Sequence, residues 1–170
     1  MVPVIETARL RLRGFRADDL EAQAATLGDE AVMRHVGGTP LSREEAWRKM
    51  LGAPGLWALL GYGYWAVERK TDGVFLGQAG FADFKRDIVP SIEGIPEMGW
   101  ILAAHVHGQG YASEAATAAL AWADAHLDAA ELCCIIDPDN AASIRVAEKA
   151  GFREAERTLY KGGPTIIFRR

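Results

Sequence analysis

Cysteine is nearly missing from this 170-residue chain, which has two, Cys133 and Cys134, side by side. Neighbours in a strand point to opposite faces, so these two neither bond to each other nor supply the spaced thiolates of a metal site. No apolar run reaches the roughly 20 residues that span a bilayer. The start, MVPVIETARL, lacks the basic and apolar segments of a secretory leader. The expectation is a cytoplasmic protein with no metal and no membrane partner. Positive charge is also short: 19 Lys and Arg against 23 Asp and Glu give a net charge of −4. That balance removes the electrostatic footprint of a nucleic-acid binder and instead favours cationic acceptors such as amines. Repeats, linkers and low-complexity segments are absent. With 49% hydrophobic and 25% charged residues, the composition is that of a globular protein, and the length suits one domain over 1–170.

The informative residues run from Glu97 to Phe152. Met98, Trp100 and Leu102 alternate as in a strand, while Glu131–Ile136 (ELCCII) is the continuous apolar run of a strand buried in a parallel pair. Between them Ala112, Ala116, Ala119, Leu120, Ala123 and Leu127 recur three or four apart, the pattern of a long helix. Strand, helix and strand make one βαβ unit. Gly108 and Gly110 stand just before the helix, whose first N–H groups have no internal partner and carry the positive end of the dipole, so an anion fits there. Glycines let a phosphate approach the backbone, although a plain turn into the helix is the simpler account of two glycines alone. A Walker loop is excluded because Tyr111, not Lys, follows Gly110. The dinucleotide fingerprint is a closer rival, with Asp137 as its acidic residue. Ser113, however, occupies the third glycine position, and too little chain follows for a doubly wound sheet.

Elsewhere, Leu10 and Leu12 alternate with Arg9, Arg11 and Arg13, which predicts a half-buried strand with the arginines on its solvated face. Helices are expected through Leu27, over Glu30–His35, and from the capping box Ser42-Arg43-Glu44-Glu45 to about Leu51, where Gly52-Ala53-Pro54-Gly55 should stop it. A strand from Tyr64 and another from Val74 to about Phe84 flank the turn Thr71-Asp72-Gly73, with Gly77 and Gly80 marking a bulge or close packing. The aromatic residues Trp57, Tyr62, Tyr64 and Trp65 and the loop Lys85–Pro96 are candidates to wall an acceptor site. Asn140 caps a helix that stops at Gly151, and Arg153–Tyr160 with Thr165–Arg169 reads as an antiparallel pair. The whole is α+β around a mixed sheet.

The runs G-x-G-Y-A-S-E-A, from Gly108, and N-x-x-S-x-R-V-x-E-K-x-G-F, from Asn140, resemble the GCN5-related N-acetyltransferases (GNAT), within them the ribosomal-protein alanine acetyltransferases. IETARLRLRGF and EMGW resemble that branch's opening and fourth strands. The resemblance implies a mostly antiparallel sheet with one splayed parallel strand pair and flanking helices. It also implies that acetyl-CoA enters between the strands that begin at Glu97 and Glu131. The implied binding residues are Trp100, Ile101 and Leu102 of the first strand; His107, Gly108, Gln109, Gly110, Tyr111, Ala112 and Ser113 at the helix start; and Asn140 and Ser143. Ser143 would hydrogen-bond the CoA sulfur. Glu97 would take the amine's proton directly or through water. Two positions depart from the pattern: His105 where Arg or Gln is common, and Ala147 where many members carry a tyrosine. The implied reaction is acetylation of a primary amine on a protein N-terminus or small molecule. A non-catalytic acyl-CoA-binding module is the alternative, and a nicotinamide-dependent oxidoreductase a third reading. Homodimers are a family habit, though no residue here fixes one.

Overall fold

Alternating apolar residues build one twisted sheet. A computed structural model, which describes residues 1–170, has strands β1 (Ile5–Glu6), β2 (Leu10–Arg13), β3 (Tyr64–Arg69), β4 (Phe75–Ala82), β5 (Glu97–Leu102), β6 (Cys133–Ile136), β7 (Arg153–Tyr160) and β8 (Gly163–Arg169). The helices are α1 (Leu20–Leu27), α2 (Glu30–Met33), α3 (Arg43–Leu60), α4 (Tyr111–His126) and α5 (Ala141–Lys149). The strand order is β1-β2-β3-β4-β5-β6-β8-β7. Every pairing is antiparallel except β5 with β6, so the expected mixed α+β architecture is present. No helix is long and apolar enough to cross a membrane.

Helices α4 and α5 cover one face of the sheet, and α1 and α3 pack on the other. The small side chains of α4, Ala115, Ala116, Ala119 and Ala123, let it lie close against Leu10, Leu12, Trp65, Phe81 and Met98, all buried in one cluster. Trp57, Trp65 and Trp122 meet edge to face with ring centroids 4.8 to 5.3 Å apart, a geometry that suits the aromatic quadrupole.

Three expectations are corrected. Helix α3 does not stop near Leu51 but continues through Pro54 to Leu60. An internal proline costs about 3 kcal/mol, and Trp57 offsets it by entering the aromatic trio and donating its Nε1–H to the Tyr64 carbonyl at 3.1 Å. The arginines of β2 are not a simple solvated face. Arg13 is 5% exposed and bonds Asp19 at 2.8 Å and Glu68 at 2.6 Å, because the turn before α1 closes over it. β4 is shorter than expected, and its Gly77 marks close packing, since a Cβ there would lie 2.2 Å from the Ile101 carbonyl oxygen.

Candidate active site

β5 and β6 share a single register pair, Glu97 with Cys133, where the Cys133 N–H donates to the Pro96 carbonyl at 3.2 Å. Beyond it they diverge. A cavity of about 460 Å³ opens in the gap, lined by Met98 to Ile101 on one side and Cys134 to Ile136 on the other. Backbone groups of a strand alternate sides. The Pro96 carbonyl points toward β6, while the Ala103 N–H points the opposite way to Leu76 of β4 at 2.9 Å. The N–H and C=O of Trp100 therefore face the gap. Those of Leu102 face the same way, but its carbonyl already accepts from His107 Nε2 at 2.8 Å. Its side chain is 5% exposed within the core, so Leu102 offers the gap an N–H and nothing more, less than expected of it.

The chain then turns into α4 through Gly108 (φ +75) and Gly110 (φ +81), left-handed positions natural only to glycine. Gly110 is the N-cap and carries no side chain to cap with. The Glu114 N–H bonds the Gly110 carbonyl at 3.0 Å, but the N–H groups of Gly108, Gln109, Gly110, Tyr111, Ala112 and Ser113 have no acceptor in the protein. The Gln109 carbonyl and side chain, the Tyr111 ring and the neighbouring Glu114 are, by contrast, held by the rest of the protein. Arg9 donates to the Gln109 carbonyl at 2.9 Å and to Glu114 at 2.6 Å, and its guanidinium lies 4.3 Å over the Tyr111 ring. Thr7 donates to Glu114 at 2.6 Å, and Gln109 Nε2 to the His105 carbonyl at 3.0 Å. Partial burial works against ionisation of Glu114. The hydrogen bonds from Thr7 and Arg9 outweigh it and hold that carboxyl below the usual range. His107 thus serves to anchor this shelf of amides through Nε2. The shelf follows the divergent end of β5 and lies outside the cavity proper.

On the opposite wall, Asn140 Oδ1 accepts the Ser143 N–H at 3.1 Å, the expected cap. Ser143 lines the cavity with its hydroxyl unbonded, so it is not turned back to a carbonyl of its own helix. Glu97 is 4% exposed yet also lines the cavity. It is not a free carboxylate, because Arg86 grips it from both sides, Nε to Oε2 at 2.6 Å and Nη2 to Oε1 at 2.8 Å. Arg86 in turn donates to Tyr160 Oη at 3.2 Å. Tyr64 closes this end against Gly99, where a Cβ would lie 2.2 Å from its hydroxyl. Burial, then the charge of Glu97, pushes the Tyr64 phenol well up, so it stays neutral. Of the aromatic run, then, Tyr64 walls the cavity and Trp57 joins the core.

Sequence reasoning passed over His35. Its Nδ1 meets Asp137 Oδ2 at 3.0 Å across 102 residues of chain, and both line the cavity. Burial opposes the Asp137 charge, but the His35 contact and the Asp139 N–H at 2.8 Å hold its carboxyl below the usual range. No local pattern announces such a pair. Arg86 likewise emerged only as an unspecified part of the Lys85–Pro96 loop.

A family model described as an acetyltransferase (GNAT) domain matches residues 9–153. The Bacillus subtilis protein YkkB is 38% identical over 115 residues, 65% of this chain and 63% of that protein. An acetyltransferase from Agrobacterium tumefaciens, 26% identical, superposes with a TM-score of 0.85 over 100% of this chain and 95% of that one. A Salmonella typhimurium acetyltransferase that modifies the N-terminal serine of ribosomal protein L7/L12 has the same fold at 19% identity and a TM-score of 0.78, covering 99% and 98% of the two chains. The family match runs from the edge of β2 to the start of β7 and takes in β5, β6, α4 and α5, which flank the gap and carry the shelf. This chain therefore belongs to the GNAT acetyltransferases, a family of acetyl-CoA-dependent N-acetyltransferases.

Proposed function

We propose that this protein transfers the acetyl group of acetyl-CoA to a primary amine by direct attack in a ternary complex. The acceptor is a protein N-terminus or a small molecule, and the scheme invokes no metal. One observation carries the reading: six consecutive amides from Gly108 to Ser113 lack protein acceptors at the positive end of α4. Such a row suits a diphosphate, which is doubly anionic and rich in acceptors. The pantetheine arm would then run along the Trp100 backbone and Ile101, with the NH2 of the Asn140 carboxamide facing it as a donor, and bring the thioester beside Ser143.

In the reaction the amine nitrogen bonds to the acetyl carbonyl carbon, the carbon–sulfur bond breaks, and the amine's proton must leave. Ser143 donates a hydrogen bond to the sulfur as charge gathers there. Both Glu97 oxygens accept from Arg86. The remaining lone pairs of that carboxylate are left to take the proton, directly or through a water. A cytoplasmic setting supplies the donor.

The test is thiol release from acetyl-CoA with a panel of amines, with the acetylated product identified by mass. Thiol that appears only with acceptor supports the reading. CoA binding without thiol release on any amine would instead assign the chain to a non-catalytic acyl-CoA-binding role.

A further inference from the structure

The whole chain is acidic, at −4, yet the cavity is not. Its wall holds four Lys or Arg side chains, Arg34, Lys49, Arg86 and Lys161, against two carboxylates, Glu97 and Asp137. Both carboxylates are already matched, Glu97 by Arg86 and Asp137 by His35. Arg34, Lys49 and Lys161 have no ion-pair partner, and the Lys161 ammonium lies over the Tyr160 ring, 5.4 Å from its centroid. These three come from separate parts of the chain: the loop after α2, the first half of α3, and the turn between β7 and β8. Three exposed cations without ion-pair partners thus border one cavity in a molecule with an excess of acid. The net charge of the chain therefore does not set the charge of the cavity.

From this wall we infer that the acceptor is an anionic amine, a molecule whose amino group goes to the Glu97 end while a carboxylate of its own is met by Lys49, Arg34 and Lys161. The inference rests on the acetyl-transfer reading and names its substrate class. Lys49 lines the cavity as an exposed residue whose ammonium end is crowded by protein atoms. Burial first, and the positive charge of Arg86 second, hold its ammonium below the ordinary lysine range. An anion in the cavity relieves that crowding. A polyamine adds to it, which is discrimination by an unpaired like charge.

The experiment compares amines that differ in one group, a carboxylate against its carboxamide, as free amino acids and as the first residue of short peptides, with spermidine as the cationic control. The carboxylate member of each pair should have a kcat/KM higher by about tenfold or more, carried mainly by KM, with the gap shrinking as salt rises. Lys161→Glu and Arg34→Glu, both exposed and checked for folding by circular dichroism, should narrow it. The peptide and amino-acid arms distinguish an acidic N-terminus from a small acidic amine. Equal or better use of the carboxamides or spermidine would overturn the inference. If no amine is acetylated, the transfer reading fails, and calorimetry of the same pairs on CoA-loaded protein decides the charge question: a carboxylate preference upholds the inference, and equal affinity overturns it.

Discussion

Ser143 enters the cavity in the first turn after the cap at Asn140, and no protein group competes for its hydroxyl. In the proposed reaction its hydrogen bond to sulfur would strengthen only as the thiolate forms, and so would act on the transition state more than on binding. Ser143→Ala should lower kcat about 10- to 100-fold with CoA affinity within about twofold of the parent. Steady-state rates beside a calorimetric titration check this, and matched losses in both would make Ser143 a binding residue instead. The cysteines offer a second test at this scale. Burial first, then the charge of Glu97, pushes the Cys133 thiol up to about 12, and burial lifts that of Cys134 well above its usual value. The thiolate is the reactive form. Native protein should therefore resist iodoacetamide at about pH 8 and be alkylated only after unfolding, with mass spectrometry as the readout; prompt native labelling would contradict the packing around β6.

The start of α4 works as an element because its back is braced and its front is left open. Arg9 and Thr7 bind Glu114 and Gln109 behind the shelf, while the amides of Gly108 to Ser113 point away without partners. Gly110→Ala forces a left-handed alanine, at a cost of roughly 1–2 kcal/mol. The loop relieves that strain by turning amides aside. CoA should bind about tenfold more weakly to this variant while the melting temperature moves little, as calorimetry and thermal unfolding will report. The brace should also depend on pH. Glu114 is held below its ordinary 4.5, so its contribution is complete above that value and is lost as pH falls through the lower, folded-state value. Glu114→Gln should therefore be less stable than the parent near pH 7, and the gap in urea midpoint should close as the solution is taken well below pH 4.5. A gap that persisted or grew in acid would mean that the brace does not rest on the ionised carboxylate.

For the molecule as a whole, what local chemistry could announce is what the sequence made legible. The ELCCII run, the glycines before α4 and the Asn140 cap are each set by neighbours within a few residues. Together they point to the parallel strand pair, the turn into α4 and the capped helix, whereas the splay and the anion-binding shelf came with the resemblance to the GNAT family. The pairs that complete the cavity are made by distant segments folding together: Arg9 with Glu114, His35 with Asp137, Arg86 with Glu97. No window of sequence contains both partners of the first two, and the Arg86 loop has no periodicity to orient it. The continuation of α3 past Pro54 was hidden for the same reason, since the benefit comes from Trp65 and Trp122 elsewhere in the chain. The charge of the cavity was hidden most completely, because counting residues sums over a surface that the fold sorts by place. All of these features serve one claim, that the open amides of Gly108 to Ser113 hold the diphosphate of CoA. Its most direct test is calorimetric titration of the folded protein with CoA and, separately, with pantetheine, which lacks the diphosphate. The account expects clear heat of binding for CoA and an affinity for pantetheine at least about a hundredfold weaker; no heat with CoA, or pantetheine bound as tightly, would contradict it.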